Sequence, residues 1–216
     1  MIVVNFPHNP TGATVTPEQQ MELIGLAARS GAYLVWDAAF AELTYEQEPL
    51  PEPGRFYERA VSMGTLSKAY GLPGLRLGWC IAAPEVLERF LRLRDYLTLH
   101  LSPLVELIAE RAIGQGDLLL VPRREQAGRN RQLVESWLQE NREQVDWVRP
   151  AGGVCVFPRL NGVADVVEFC RRLAETERAL LVPGHCFGCP QHVRLGFGGA
   201  TAHLQEGLLR LSRALA

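Results

Sequence analysis

Short apolar runs separated by turns dominate the first eighty residues, and the spacing of apolar positions then changes to that of helices. Residues 2–6 predict a buried strand, closed by a Pro/Asn/Gly turn through residue 12. Thr16 predicts a helix start, because Pro17 suits the first helical position and Gln19 completes a capping box. Met21, Leu23, Ile24, Leu26 and Ala27 are the expected buried face of that helix. Further strands are predicted at 32–36, ending at Asp37, and at 60–63 and 77–82. Strands alternating with a helix predict a parallel α/β sheet.

From Pro84 the pattern turns helical, with helices expected at 84–96, 103–114 and 117–142. Beyond Asn141 short strands return at 145–148, 153–157, 179–182 and 193–196, around a helix at 164–176 and before a last one from about 202. The second set predicts a small α+β domain. Residues 1–115 are therefore expected to form one domain, and 116–216 a bridging helix with a small carboxy-terminal domain.

Composition narrows the function classes. Apolar residues make up 47% and charged residues 21%, the proportions of a globular chain with a core. A net charge of −2 without a basic stripe argues against nucleic acid as a partner. No apolar run reaches the roughly 20 residues that span a bilayer, and Met1 to Val4 open directly into a strand without a signal-like region. The five cysteines are odd in number and lie mostly among apolar neighbours, so they read as small buried residues of a reducing, cytoplasmic compartment. Cys186 and Cys189 have metal-like spacing, but with no second pair and with Gly188 and Pro190 beside them they read as a turn; no metal is expected.

The chemistry concentrates in the segment from Ser62 to Trp79. Lys68 is the chain's only lysine, against 21 arginines among the 22 basic residues. A plain glycine-rich loop with a solvated lysine is the bland reading. Against it stand the small hydroxyl and glycine neighbours, and Arg76 eight positions later. In a partly desolvated loop the neutral amine of a lysine attacks an aldehyde to form a Schiff base. Thr65 and Ser67 offer hydroxyls to a phosphate, and Arg76 a bidentate grip on it.

This segment, Ser-Leu-like Thr65-Leu66-Ser67-Lys68 followed by Gly71-Leu72-Pro73-Gly74-Leu75-Arg76, resembles the cofactor-lysine segment of class I/II aminotransferases of fold type I. The resemblance implies pyridoxal 5'-phosphate as cofactor, held by Lys68, with Arg76 on its phosphate. Three further segments carry it. Asn9-Pro10-Thr11-Gly12 resembles the family's N-P-T-G turn, so Asn9 is expected to donate to the cofactor's phenolic oxygen; His8 reads as a turn residue. Asp37, at the carboxyl end of a strand, matches the aspartate that keeps the pyridine nitrogen protonated. Val193-Arg194-Leu195 resembles the strand whose arginine binds a substrate α-carboxylate, preceded by a P-G-x-x-F-G loop from Pro183 to Gly188.

The chain departs from the family at Phe40, where a D-x-x-Y pattern usually places tyrosine. Without that hydroxyl donor, the cofactor's oxyanion is expected to hold the Schiff-base proton more tightly. The resemblance also implies an amino-terminal region before the N-P-T-G turn, with a phosphate loop and a stacking aromatic, that this chain is expected to lack. The fold class implied is part of the fold-type I large domain, a mostly parallel sheet with helices, plus a small α+β domain. The activity implied is transamination between an amino acid and a 2-oxo acid, in a homodimer. Elimination or cyclisation of a hydroxylated amino acid, as in capreomycidine synthase-like members, uses the same residues; a non-catalytic remnant is the third reading. The remaining arginines, including Arg123, Arg124, Arg129 and Arg131, read as solvated helix faces.

Overall fold

The computed structural model describes residues 1–215, which form two compact units. The first comprises residues 1–7 and 14–123, the second residues 8–13 and the described residues from 124 on. The division falls inside a helix, whereas the sequence expectation placed it at 115/116.

In the first unit a four-stranded sheet has the order β1 (Ile2–Asn5), β2 (Leu34–Asp37), β3 (Ala60–Thr65), β4 (Gly78–Ile81). β1, β2 and β3 run parallel, with Asn5 opposite Asp37 and Asp37 opposite Met63. Parallel strands deliver all three carboxyl ends to one edge of the sheet, where open α/β sheets place ligands. β4 is antiparallel to β3, with Thr65 opposite Gly78. The sheet is therefore mostly rather than wholly parallel: a loop of twelve residues, 66–77, returns the chain beside β3 without a crossover helix.

Helix α1 (Pro17–Ser30) is set by local signals at both ends. Thr16 Oγ1 accepts from the Gln19 amide, and the Gln19 side chain accepts from the Thr16 amide. Gly31 stops it in the left-handed conformation, φ 63°. The face against the sheet runs through Gln20, Leu23, Ile24 and Ala27, and packs on Leu34, Trp36, Ile2 and Val4. That spacing leaves Met21 and Leu26 turned away and exposed, which corrects the expected buried face. Gln20 takes the place of an apolar residue there, its amide donating to Pro51 O at 2.9 Å.

Two helices follow, α2 (Pro84–Leu97) and α3 (Pro103–Gly114). α2 buries none of its residues, and α3 only Ala109 and Ala112; Phe90, Tyr96, Leu97 and Leu104 are exposed. Long helix α4 (Gly116–Glu140) contains Pro122, next to the division between units.

The second unit holds β5 (Val145–Asp146) paired with β7 (Arg159–Leu160), and a three-stranded sheet of order β6 (Cys155–Val156), β9 (Val193–Gly196), β8 (Val182–Pro183). All these pairings are antiparallel. Helix α5 (Val166–Arg172) loosens into a π turn over residues 173–177, so the α-helix is shorter than predicted. Helix α6 (Thr201–Leu215) buries Leu208 and Leu211. The core lies between these helices and the sheet, around Val134, Leu138, Leu173, Val193, Leu195 and Phe197.

Two expectations about side chains fail. Only Cys170 is buried; Cys80, Cys155 and Cys189 are half-buried and Cys186 is exposed. Arg131 is 8% exposed, not solvated, because its guanidinium donates to Pro150 O at 3.2 Å and meets Glu135 at 3.3 Å. No helix among the described residues is long and apolar enough to cross a membrane. No cluster of His, Cys, Asp and Glu among them is arranged to hold a metal ion.

Candidate functional site

In the first unit the candidate residues gather at the carboxyl edge of the sheet. Asp37 ends β2, and its Oδ1 accepts from the Ala39 amide at 2.9 Å. This local bond fixes the carboxylate's direction and turns the chain toward Phe40, which is buried. Met63 O accepts from the Ala38 amide at 2.8 Å, tying this turn to β3.

Lys68 sits on a pinned loop. Leu66 is fully buried and Ala69 is 3% exposed, while Lys68 between them is exposed. Leu66 O accepts from the Leu72 amide at 3.0 Å, and Lys68 O from the Gly71 amide at 3.0 Å. Gly71 is required at that turn: its φ is 68°, and a Cβ there would lie 2.3 Å from the Arg123 guanidinium. The lysine Nζ stands 5.5 Å from the centroid of the Phe40 ring, within cation–π range.

Thr65 Oγ1 lies 3.1 Å from Leu77 O and 3.0 Å from Ser67 Oγ, and it accepts from the Ser67 amide at 3.1 Å. A hydroxyl has one proton, and a carbonyl only accepts. Thr65 therefore donates to Leu77 O and accepts from both Ser67 groups, which orients the Ser67 hydroxyl. Arg76 is exposed at the end of a 3-10 turn with φ 50°; its Nη1 donates to Pro73 O at 3.1 Å. That bond uses one of five donors and holds the guanidinium over its own turn.

In the second unit Asn9 and Arg194 meet. Arg194 Nη1 donates to Asn9 Oδ1 at 3.3 Å, a bond between residues 185 positions apart. With Oδ1 accepting, the Asn9 amide presents its NH₂ as donor. The turn that carries Asn9 is held from both sides. His8 Nδ1 lies 2.8 Å from Thr11 Oγ1, consistent with a turn residue. Gly12 O accepts from the Ala151 and Gly152 amides, each at 2.9 Å. Gly12 has φ 70°, and a Cβ there would lie 2.4 Å from Pro150 Cβ. Pro150 in turn is the residue that buried Arg131 grips.

The structure thus draws Asp37, Phe40, Thr65, Ser67 and Lys68 to the strand ends of the first unit, with Arg76 on the next turn, and joins Asn9 to Arg194 in the second. Sequence reasoning did not connect Asn9 to Arg194. It also gave no role to Phe187, whose ring lies 5.5 Å from the Arg194 guanidinium carbon. The P-G-x-x-F-G loop was the available signal for Phe187.

An exposed amine on a rigid loop, two oriented hydroxyls beside it and a carboxylate on the neighbouring strand end fit a cofactor bearing an aldehyde, a phosphate and a basic ring nitrogen. Pyridoxal phosphate combines these three groups.

Comparison with known proteins agrees with that chemistry. The chain is 45% identical over 215 residues, all of its length and 55% of the relative's, to a capreomycidine synthase of Streptomyces vinaceus. The crystal structure of a PLP-dependent cyclase, OrfR, superposes with a TM-score of 0.94 at 46% identity, over 99% of this chain and 58% of that one. A PLP-dependent aminotransferase from Streptococcus suis superposes with a TM-score of 0.94 at 30% identity, over 100% of this chain and 57% of that one. The chain spans about half the length of the curated relatives it matches. Pyridoxal phosphate is the cofactor these relatives imply. Residues 1–211 match the family described as aminotransferase class I and II, and the chain belongs to it.

Proposed function

We propose that this chain carries the lysine-bearing part of a pyridoxal-phosphate enzyme that acts at the α-carbon of an amino acid. The observation that carries the reading is Lys68, the single lysine of the sequence, presented on a pinned loop with its Nζ over the Phe40 ring. When bound, pyridoxal phosphate supplies an electron sink that makes the α-proton of an amino acid acidic.

The protein's own groups supply the rest. Lys68 would hold the cofactor covalently and, once released, take the proton from the substrate Cα and return it elsewhere. The Asp37 carboxylate, with Oδ1 fixed by the Ala39 amide, would keep the ring nitrogen protonated. Asn9 would donate to the phenolic oxygen, and Arg76 would hold the phosphate, joined by the Ser67 and Thr65 hydroxyls once they turn their protons from Thr65 Oγ1 and Leu77 O toward it. Arg194 would pair with the substrate α-carboxylate, its planar donors matching two carboxylate oxygens.

Two outcomes follow from proton removal. In the first, transamination, Lys68 would hold the proton taken from Cα and give it back at a different atom, and a 2-oxo acid would later accept the amino group. The second is loss of a β-substituent followed by ring closure. What supports the second is the 45% and 46% identity to a capreomycidine synthase and a cyclase, against 30% for the aminotransferase structure. Phe40, the departure from the family's tyrosine, leaves room for it.

The test is absorbance of the purified chain with pyridoxal phosphate, before and after borohydride, beside Lys68→Ala. A band that depends on Lys68 and becomes fixed by reduction supports the reading. A folded chain with no such band sinks it for these residues alone. Where the band forms, amino transfer to a 2-oxo acid separates the first outcome from water release by a hydroxylated amino acid.

A further inference from the structure

The loop between β8 and β9 bears directly on Arg194. Arg194 extends from the middle of β9 and is half-buried, with Val182 of β8 as its cross-strand neighbour. One edge of its guanidinium is committed to Asn9 Oδ1. Its face is covered by Phe187, whose ring centroid lies 5.5 Å from the guanidinium carbon. A bond along one edge and a ring against one face leave the group little freedom except to present its remaining in-plane donors.

Phe187 is itself held by a rigid stack. Its ring meets Phe157 edge-on, with centroids 5.6 Å apart at 82°. Phe157 in turn lies flat on His192, 4.9 Å away at 20°. Edge-to-face and offset-stacked contacts are the two favoured aromatic geometries. Burial, and then the charge of Arg159, push the His192 pKa below its ordinary value.

The backbone bolts this stack to the strand that carries Arg194. The Gly184 amide donates to His192 O at 2.6 Å, the Cys189 amide to Gly184 O at 2.9 Å, and the His192 amide to Cys189 O at 3.0 Å. Gly184 permits the closeness: a Cβ there would lie 2.2 Å from Cys189 O and 2.5 Å from His192 O. The turn from Gly184 to Phe187 is thus fixed two residues before Arg194, and it places the ring at one height above the guanidinium.

We propose that Phe187 is a positioning residue that holds the Arg194 guanidinium in plane for a substrate carboxylate, through the Phe157–His192 stack beneath it. This rests on the reading of Arg194 as the carboxylate anchor. The ring touches the arginine; the arginine touches the carboxylate. Phe187 contributes by removing rotational freedom before the ligand arrives, so less ordering remains to be done on binding. A cation–π contact at a half-exposed site changes affinity by about 2- to 5-fold.

Side-chain NMR of the 216-residue chain tests this with two readouts. The first is the order parameter of the Arg194 Nε–H in the absence of ligand; the second is the dissociation constant for propionate. Phe187→Leu is expected to drop the order parameter below about 0.6, from the range of a rigid group. The same variant should weaken propionate by about 2- to 5-fold. Phe187→Tyr, which keeps the ring, should preserve both, and Phe157→Leu should lower the order parameter without touching Arg194 directly. Backbone amide spectra show that each variant keeps the fold. An unchanged order parameter in Phe187→Leu, or an unchanged propionate constant despite a mobile arginine, overturns the proposal. Arg194→Gln separates the two levels. If it binds propionate as the unaltered chain does, the carboxylate assignment fails and the proposal with it. If it binds weakly while Phe187→Leu changes nothing, only the role of Phe187 falls.

Discussion

Asn130 is a sensitive place to break the second unit, and the cost can be worked out from its bonds. It lies on α4 and is fully buried, at 0% exposure. Its Nδ2 donates to Phe197 O at 2.7 Å and to Gly199 O at 2.8 Å, while its Oδ1 accepts from Thr201 Oγ1 at 2.7 Å. These bonds clamp the end of β9, the strand of Arg194, to the start of α6. Asn130→Ala removes all three bonds; Gly199 is exposed and its O keeps Gln126 Nε2 at 3.0 Å, so the loss falls mainly on the Phe197 carbonyl and the Thr201 hydroxyl. At about 1 kcal/mol for each lost bond the sum is about 3 kcal/mol. At 1.4 kcal/mol per tenfold, hydrogen exchange in this unit should speed up by about 100-fold. The amides of Leu195, Phe197 and Leu138 report it, since Phe197 N bonds Val154 O at 2.8 Å and Leu138 is fully buried. Exchange reads the opening of this unit whether or not the whole chain unfolds in one step. Thr201→Val removes one bond only, so about a 5-fold effect is expected. An Asn130→Ala change below about 5-fold, or one equal to that of Thr201→Val, would refute the reasoning, because the Phe197 carbonyl and the Thr201 hydroxyl would then have found other partners.

Two further outcomes follow from single side chains. With pyridoxal phosphate bound, Phe40 would offer no hydroxyl to its phenolic oxygen; Phe40→Tyr should therefore lower the pH at which the chromophore titrates, and superimposable absorbance titrations would refute this. Burial pushes the Cys170 thiol up to about 11, from an ordinary value of 9.0. The folded chain therefore holds that proton more tightly than the unfolded one, so this contribution to stability is whole below pH 9 and is lost as pH rises toward 11. At pH 8 a thiol reagent should label exposed Cys186 first and Cys170 only on unfolding; equal labelling rates would count against the burial.

Much of the architecture was legible because its signals are local. Thr16, Pro17 and Gln19 specify the start of α1 within one turn, and α3 and β9 occupy the residues their periodicity predicted. Lys68 stood out by chemistry alone, as one lysine among 21 arginines set in small, hydroxyl-bearing neighbours. The resemblance to the family was carried by such contiguous motifs. Each of them keeps its meaning without knowledge of the rest of the chain.

What the tertiary structure decided depends on partners distant in sequence. The antiparallel return of β4 has no local signature, since a strand reads the same in either direction and only the loop from Leu66 to Leu77 sets it. Arg131 looked like one of several solvated arginines until Pro150 and Glu135 closed around it. Met21 and Leu26 share the apolar character of Ile24, but only the sheet selects which side of α1 is covered. Asn9 and Arg194 each matched a motif, yet their bond spans 185 residues and exists only once Gly12 has fastened its turn to residues 151–152. Periodicity and capping act over a few residues, through backbone geometry. Side-chain partnership across the chain is settled by packing, and that is where the precision of this site resides.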